Sequence, residues 1–587
     1  MSSATILRRP QPPEAAAPTA WPDSIPPLLR RLYTARGAAL IEQAQPKLAH
    51  LLLPDGLQGI DEATQMLADA IATDRHIVVV GDFDCDGATA CAVGVRGLRM
   101  LGVRRVSHAV PNRMVHGYGL SPALVEEIAL LQPDLLVTVD HGIACHAGIG
   151  AAKAHGWQVL VTDHHLPGET LPAADVIVNP NQPGDLFASK ALAGVGVMFY
   201  VLLALRRRLR DEGRFAGAEP DLSVLLDLVA VGTVADLVPL DANNRALVAA
   251  GLRRLRAGRG CAGLSALIEV AQRDARCLCA SDIGFAIAPR LNAAGRLEDM
   301  TLGIECLLTD DPVQARAIAA TLDAINSERR AVQQQMTEEA DAALARVALT
   351  GADAAVSICL YDPQWHPGVV GLVASKVKER LHRPVIAFAP SEPGSHTLRG
   401  SARSIAGFHI RDALAAVAAR APGLIERFGG HAMAAGLSIQ AESLAAFEQL
   451  FEQVSSVRLT PDMLRTDVLS DGELGEHEFN HACAQSLRDG GPWGQGFAEP
   501  QFDGEFSVLG WRAVGGKHLK LELGHAGLRL NAIHFGGWSG APPPGRIRIA
   551  YRLEPDDYRG GQAVQLVVVH SEWSEALSQP GGLGELG

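Results

Sequence analysis

Three aspartates on alternate positions are the most chemically loaded feature of the chain. In VVVGDFDCDGAT (residues 78–89) an apolar β-branched run stops at a glycine, and Asp82, Asp84 and Asp86 follow. Carboxylates so close repel one another, and a bound cation relieves the repulsion. Asp140 directly follows the run LLVTV, the triplet Asp163-His164-His165 follows WQVLVT, and Asp236 comes late in the longer apolar stretch LLDLVAVGTVADLVPL. Ligands of an open parallel sheet bind beyond the carboxyl ends of its strands. If these runs are neighbouring strands, their acidic ends gather at one edge. Carboxylates mixed with imidazole, without thiolates, suit Mn²⁺ or Mg²⁺. Several carboxylates can bridge two ions about 3.5–4 Å apart, which stabilises both the attacking and the leaving oxygen of a phosphoryl displacement. Any one of these aspartates could instead cap a turn or a helix, and a histidine pair in a loop is commonly surface. Their joint occurrence at successive strand ends carries the metal reading.

The elements that must position them form an α/β pattern. From about Leu51 to Asp310, buried-strand runs alternate with helical stretches, as in βαβ units around a parallel sheet. HIVVV (76–80), LLVTV (135–139), WQVLVT (157–162) and DVIV (175–178) are the clearest strands. Over residues 311–350, Ile318, Leu322, Ile325, Val332, Met336 and Val347 recur at helical spacing among polar residues. That spacing predicts one long connector helix, about 50 Å at ~1.5 Å per residue. A second α/β unit spans residues 351–457, and a polar linker covers 458–498. Residues 499–573 give five short alternating runs (FSVLGW, HLKLEL, LRLNAIHF, RIRIAYRL, VQLVVV) between Gly/Pro turns, which predicts a small barrel. Residues 1–50 read as an N-terminal arm, and 574–587 as a disordered tail.

A chain of 587 residues exceeds a single core and predicts three or four domains. At 48% hydrophobic and 20% charged residues, it has the composition of an ordinary globular protein. No apolar run reaches the ~20 residues needed to span a bilayer. Arg8 and Arg9 lead into QPPEAAAPTAWPD, which reads as a proline-rich arm and not a signal peptide. Nine scattered cysteines without a C-x-x-C argue against a disulfide framework or structural zinc and fit a reducing cytoplasm. A formal charge of −13 argues weakly against a chain coated in nucleic acid but leaves room for a local basic groove.

Asp84-x-Asp86-Gly87, VTVDHG, Asp163-His164-His165 and GTVADLVPL resemble the four motifs of the DHH phosphoesterase superfamily. The wider set is similar to the RecJ family of single-strand-specific exonucleases. It comprises VPNR (110–113), HGYGLS, LAGVGVMFY, PRLNAAGR (289–296), WHPGVVGLVASK, GSARSIAGFHIRDAL and FGGHAMAAGLS (428–438), and runs in family order over nearly the whole chain. The resemblance implies a DHH catalytic domain, a DHHA1-like substrate-binding domain and a C-terminal OB-fold-like barrel. It assigns metal binding to Asp82, Asp84, Asp86, Asp140, His164 and Asp236, and places His165 beside the scissile phosphate. One departure stands out: His141 occupies the position where the family usually has Asn, and it could replace the amide donor or add a ligand.

Arg113, Arg290 and Arg296 are expected in loops after apolar runs, where guanidinium forks could take phosphates bidentately. With Asn292, Ser401, Arg403, Gly429, Gly430 and His431 they complete the substrate-binding set that the resemblance implies. Paired glycines let backbone approach a phosphate chain, or form only a tight turn. Trp511, Phe535 and Tyr558 could stack bases, although a small barrel also needs aromatics inside. The function implied is 5′-to-3′ exonucleolytic cleavage of single-stranded DNA to 5′-mononucleotides, in DNA repair and recombination. Single-stranded DNA, and beside it a helicase or a single-strand-binding protein, are the expected partners. Three rivals share features of the sequence. A haloacid-dehalogenase-type phosphatase also uses D-x-D-G after a strand, but does not need the DHH triplet. A DHH enzyme acting on short oligonucleotides or cyclic dinucleotides shares the metal site without the barrel. An inert DNA-binding scaffold would not need its carboxylates intact.

Overall fold

The computed structural model describes residues 4–10, 21–113, 115–348, 355–557, 560–572 and 584–585, with side chains of the long helix described as far as residue 341. The Val347 side chain, Tyr558, residues 11–20 of the proline-rich arm and most of the tail lie outside what is described. Gly584 and Glu585 pair with Gly510 and Trp511.

Five parallel strands make the first sheet, in the order Val106–Ala109, Ile77–Val80, Leu135–Val139, Gln158–Thr162 and Val176–Val178. Four of them are the predicted runs. The fifth, Val106–Ala109, is an edge strand reading VSHA, too short and polar to show as an apolar run. Ile77–Val80 is fully buried, because helices cover both faces of a parallel sheet and leave no side for polar residues. The chain leaves it in two directions: Cys85–Met100 crosses to the edge strand, and Pro122–Ala129 precedes the strand on the other side. This switch point is where such sheets open a crevice at their carboxyl ends.

Asp236 departs from the expected ladder of strand ends. Its apolar stretch forms the helix Leu226–Ala235, and Asp236 is the C-cap. A run apolar on every side is buried all round whether strand or helix, and periodicity alone does not separate the two. The helix packs on Cys85–Met100, so it delivers its carboxylate to the same edge.

The connector is the helix Pro312–Ala348, 37 residues long. Ile318, Leu322 and Ile325 are buried near its start, and Met336 is buried against the second domain. That domain is a five-stranded sheet in the order 427–430, 434–440, 397–403, 385–390, 358–361, with only the last pair parallel. All five predicted barrel runs are strands. Phe502–Val514, His518–His525, Leu528–His534, Val564–Glu572 and Arg546–Pro555 pair in that circular order, and the first closes back on the last.

Two of the expected boundaries change character. The start of the chain is no free arm: Thr5–Arg8 pairs in parallel with Asp467–Ser470, and the helix Pro27–Ala35 buries Leu28, Leu29, Leu32 and Tyr33. Nor is 458–498 merely a polar linker. Tyr33 stacks on Phe497, its hydroxyl donates to the Gly490 carbonyl at 2.8 Å, and Arg36 forms a buried ion pair with Asp471 at 2.8 Å. The two ends of the sequence share one core, and contacts between segments over 400 residues apart leave no local signature.

Candidate metal centre and phosphate cleft

Every aspartate of the D-x-D-x-D-G stretch has a separate task set by local geometry. Asp84 is the N-cap of Cys85–Met100, its Oδ1 accepting from Gly87 N at 3.0 Å. Asp86 lies in the first helical turn, where its two oxygens accept from Gly194 N at 2.7 Å and Val195 N at 3.0 Å. These amides open the helix Gly194–Asp211, whose N-terminus favours negative charge. A Cβ at position 194 would lie 2.5 Å from that of Asp140, so glycine is required for the approach. Asp140 itself sits at φ +65°, a left-handed conformation that Asp tolerates better than most residues.

Three groups of ligand atoms converge: Asp82, Asp84 and Asp140; Asp86, His164 and Asp236; and Asp140, His164 and His165. His164 Nε2 lies 3.1 Å from Asp140 Oδ1 and 3.4 Å from Asp236 Oδ2. These contacts are not aligned as hydrogen bonds. Asp82 Oδ1, Asp140 Oδ1 and His164 Nε2 are all buried without a hydrogen-bond partner among the described residues. Buried lone pairs are costly to leave unmatched, and a divalent cation is the partner that matches carboxylates and a neutral imidazole together. The donor set therefore fits Mn²⁺ or Mg²⁺, with Asp140 common to two of the groups.

The electrostatics of the metal-free protein agree. Burial, and then the Asp84 charge, pushes Asp82 up to about 8 and Asp86 up to about 7. Asp140 and Asp236 are raised well above the carboxylate range by burial and then by Asp86. Burial, and then His165, lowers His164 to about 4, which keeps its ring neutral and able to ligate.

His165 is held differently. Its Nδ1 donates to Asp163 Oδ1 at 2.8 Å, and the same oxygen accepts from the His164 and His165 amides at 2.7 and 3.0 Å. Burial by itself would lower the imidazole, but the hydrogen bond and charge of Asp163 win and raise it to about 9. Nε2 stands 3.3 Å from the Tyr118 hydroxyl. Asp163 is the anchor of this arrangement, and Tyr118 is its neighbour. Both lie inside recognised motifs, yet neither carried an assigned role in the sequence reading. His141 is neither ligand nor cleft residue: its buried Nε2 donates to the Val80 carbonyl at 3.0 Å, and burial lowers it to about 4.

The expected phosphate ligands divide into two sets. Arg113 lies over the Phe83 ring at 4.1 Å and is within electrostatic reach of Asp82 and Asp84. Arg296 is pushed down to about 9 by burial and then by the charges of Arg113, Arg403 and Arg329. Arg403 is oriented by Ser401 Oγ at 3.0 Å and Ser375 Oγ at 3.2 Å. Cations within electrostatic reach of one another mark a place for an anion. Arg329, on the connector helix, had no signal in the sequence, because a lone arginine on a polar helix face reads as solvated.

Arg290 and Arg296 lie not in loops but on the helix Ala288–Leu297, because the run before them continues helical, and Arg290 and Asn292 are engaged by other partners. Arg290 pairs with Asp323 at 2.8 Å and clips the connector helix to its own helix. The Asn292 carboxamide oxygen accepts from Cys85 N at 2.8 Å, supporting the aspartate-bearing helix start. In this structure both side chains make scaffold contacts. In the second domain His431 reaches the metal side, its ring 5.9 Å from that of His165. Gly430 needs its φ of +139°, whereas the Cβ position of Gly429 is open space.

This is the site and sheet of a DHH phosphoesterase, and residues 76–233 match the family model described as the DHH family, N-terminal domain. Residues 351–456 match the DHHA1 domain and 470–570 the RecJ OB domain. The chain is 50% identical over 579 residues to the single-stranded-DNA-specific exonuclease RecJ of Dickeya dadantii (strain 3937), covering 97% of this chain and 99% of the relative. It is 47% identical over 555 residues to the protein of that name from Escherichia coli (strain K12), covering 93% and 96%. Among solved structures, RecJ in complex with Mn²⁺ from Thermus thermophilus superposes with a TM-score of 0.80 at 32% identity, over 98% of this chain and 80% of that one. The chain belongs to the RecJ family.

Proposed function

We propose that this chain is a divalent-metal-dependent exonuclease that removes 5′-mononucleotides from the 5′ end of single-stranded DNA. One observation carries the reading: Arg113 and Arg296 lie within electrostatic reach of the buried carboxylates, and Arg403 of the second domain and Arg329 of the connector lie within reach of Arg296. A terminal phosphate carries more charge than an internal one, so a pocket of Arg113, Arg296, Arg329 and Arg403 selects an end. The bond to be cut then lies over the carboxylates one nucleotide further in. Rings of facing domains 5.9 Å apart bound a cleft too narrow for a duplex, which supports the single-strand preference.

Asp82, Asp84, Asp86, Asp140, His164 and Asp236 would hold two ions, whose Lewis acidity polarises the phosphate and activates water. The residues do the rest. Asp163 accepts from Nδ1–H and holds His165 as the imidazolium, so that its second N–H, on Nε2, can stabilise or protonate a phosphate oxygen. His431 closes over it and limits solvent, and the exposed Phe535 ring on the barrel gives a longer strand a stacking platform. Such an activity suits DNA repair and recombination, where a helicase or single-strand-binding protein would present the free strand. A cytoplasmic location is consistent with nine unpaired cysteines; among the described residues no helix is long and apolar enough to cross a membrane.

The deciding experiment is to incubate the protein with Mn²⁺ and internally labelled single-stranded DNA carrying a 5′-phosphate, and to size the products over time. Mononucleotides should appear from the first time point, and a bulky 5′ block should stop them. Oligonucleotide products, or release that a 3′ block stops instead, would overturn the reading.

A further inference from the structure

Two helices deliver carboxylates to the metal centre, Cys85–Met100 at its start and Leu226–Ala235 at its end. Their opposite ends line a separate cavity of about 340 Å³. The first helix has 16 residues, about 24 Å at ~1.5 Å per residue, so the cavity lies well away from the catalytic cleft.

Its polar walls are Arg96, Arg99, Arg254 and Arg259 against Asp227 and Asp310. Arg96 is committed, to Asp310 Oδ1 at 2.8 Å and to the Leu307 carbonyl at 3.0 Å. Arg254 donates only to the Arg259 carbonyl, at 2.9 Å, and its Nε is buried with no partner among the described residues. Arg99 and Arg259 are exposed and have no ion-pair partner among the described residues. Asp227 offsets them only in part: one oxygen accepts from Cys261 N at 2.7 Å, and the carboxylate lies within electrostatic reach of Arg254.

Arginines often sit at helix C-termini to offset the helix dipole, which amounts to about half a charge per terminus. The helices Cys85–Met100 and Ala242–Arg256 both end here, so they account for about one cation in all. Three guanidiniums beyond the Arg96 pair exceed that need. Leu228 and Leu308 add an apolar wall. The volume far exceeds a lone phosphate and falls at the small end of ligand pockets, about 300–1,000 Å³.

We propose that this cavity is a second binding site, for a phosphate-bearing ligand of nucleotide size, with Arg99, Arg254 and Arg259 on the phosphate and the leucine wall against the base or sugar. The proposal stands independently of the nuclease reading, since it uses none of the cleft residues.

The test is calorimetric titration of the full chain with dAMP in EDTA, where no cleavage occurs. It compares wild type, the double variant Arg99→Gln/Arg259→Gln, and the cleft variant Arg403→Ala. Wild type should show two classes of site. The double variant, which alters exposed side chains, should keep its circular dichroism spectrum and nuclease activity while its second class weakens at least tenfold. Arg403→Ala should lose only the other class. Inorganic phosphate should compete with dAMP in the second class. Identical dAMP isotherms for wild type and the double variant would overturn the site. A difference seen only with a 5′-hydroxyl oligonucleotide would make the cavity a path for DNA backbone and sink the small-ligand assignment.

Discussion

His165 of the first domain and His431 of the second face each other with ring centroids 5.9 Å apart and planes inclined by 22°. Asp163 raises His165, whereas burial and then the His165 charge lower His431. One ring is thus a cation at neutral pH and the other a neutral cover.

His165→Ala should cut turnover by roughly 10²–10⁴, the usual range for a lost general acid or base, while Mn²⁺ binding stays close to wild type. His164→Ala should weaken Mn²⁺ binding as well. Calorimetry with Mn²⁺ beside a cleavage assay separates the two, and equal loss of metal in both variants would contradict the division.

Asp140 belongs to two of the ligand groups, so removing its charge should abolish cleavage. Asparagine is the better probe than alanine, because φ at this position is +65° and Asn tolerates that region. Asp140→Asn should unfold at or above the wild-type temperature without metal, since one repulsion is gone. A folded variant with near-normal activity would defeat the assignment.

The metal-free protein should lose stability as pH rises. Asp82 and Asp86 keep protons in the folded state up to about 8 and 7, which the unfolded chain releases near pH 4. The native state therefore binds more protons across that window, and stability is greatest below it. In EDTA, Tm should fall between pH 5 and 8, and the gain on adding Mn²⁺ should widen in the same direction. A Tm rising with pH in EDTA would show that the carboxylates are not strained.

Arg296 is held among like charges, a stability cost that an anion relieves. Arg296→Met should raise the Tm of the free protein and remove the preference for a 5′-phosphate over a 5′-hydroxyl end. Loss of stability without change in end preference would place Arg296 in the scaffold, beside Arg290.

Phe535 is exposed beside His518, whereas Trp511 and Trp538 stack on each other at 5.3 Å against the core. Phe535→Ala should weaken binding of long strands several-fold and leave short oligonucleotides unaffected, because they cannot reach the barrel. Cutting the chain after Ser470 is a poor test, since it strips Asp471, Trp493 and Phe497 from the first domain. Equal losses on short and long substrates for Phe535→Ala would mean that the barrel supports the active site.

The sequence by itself determined the strands that carry most of the candidate ligands, the connector helix and the five barrel strands. Each of these depends on residues close in the chain: apolar runs of strand length, helical spacing, and acidic residues just beyond. It also pointed to Arg113, Arg296 and Arg403 through their motifs. Only the tertiary structure decided that Asp236 arrives on a helix end, that Arg329 comes within reach of Arg296, and that Arg290 and Asn292 bond to Asp323 and the Cys85 amide. Likewise, the joining of Tyr33 and Arg36 to the segment before the barrel rests on pairings hundreds of residues apart. The physical reason is common to all of these. A side chain's chemistry is fixed by its type, but its task is fixed by which charge, amide or ring it meets, and those partners come from distant segments brought together by core packing.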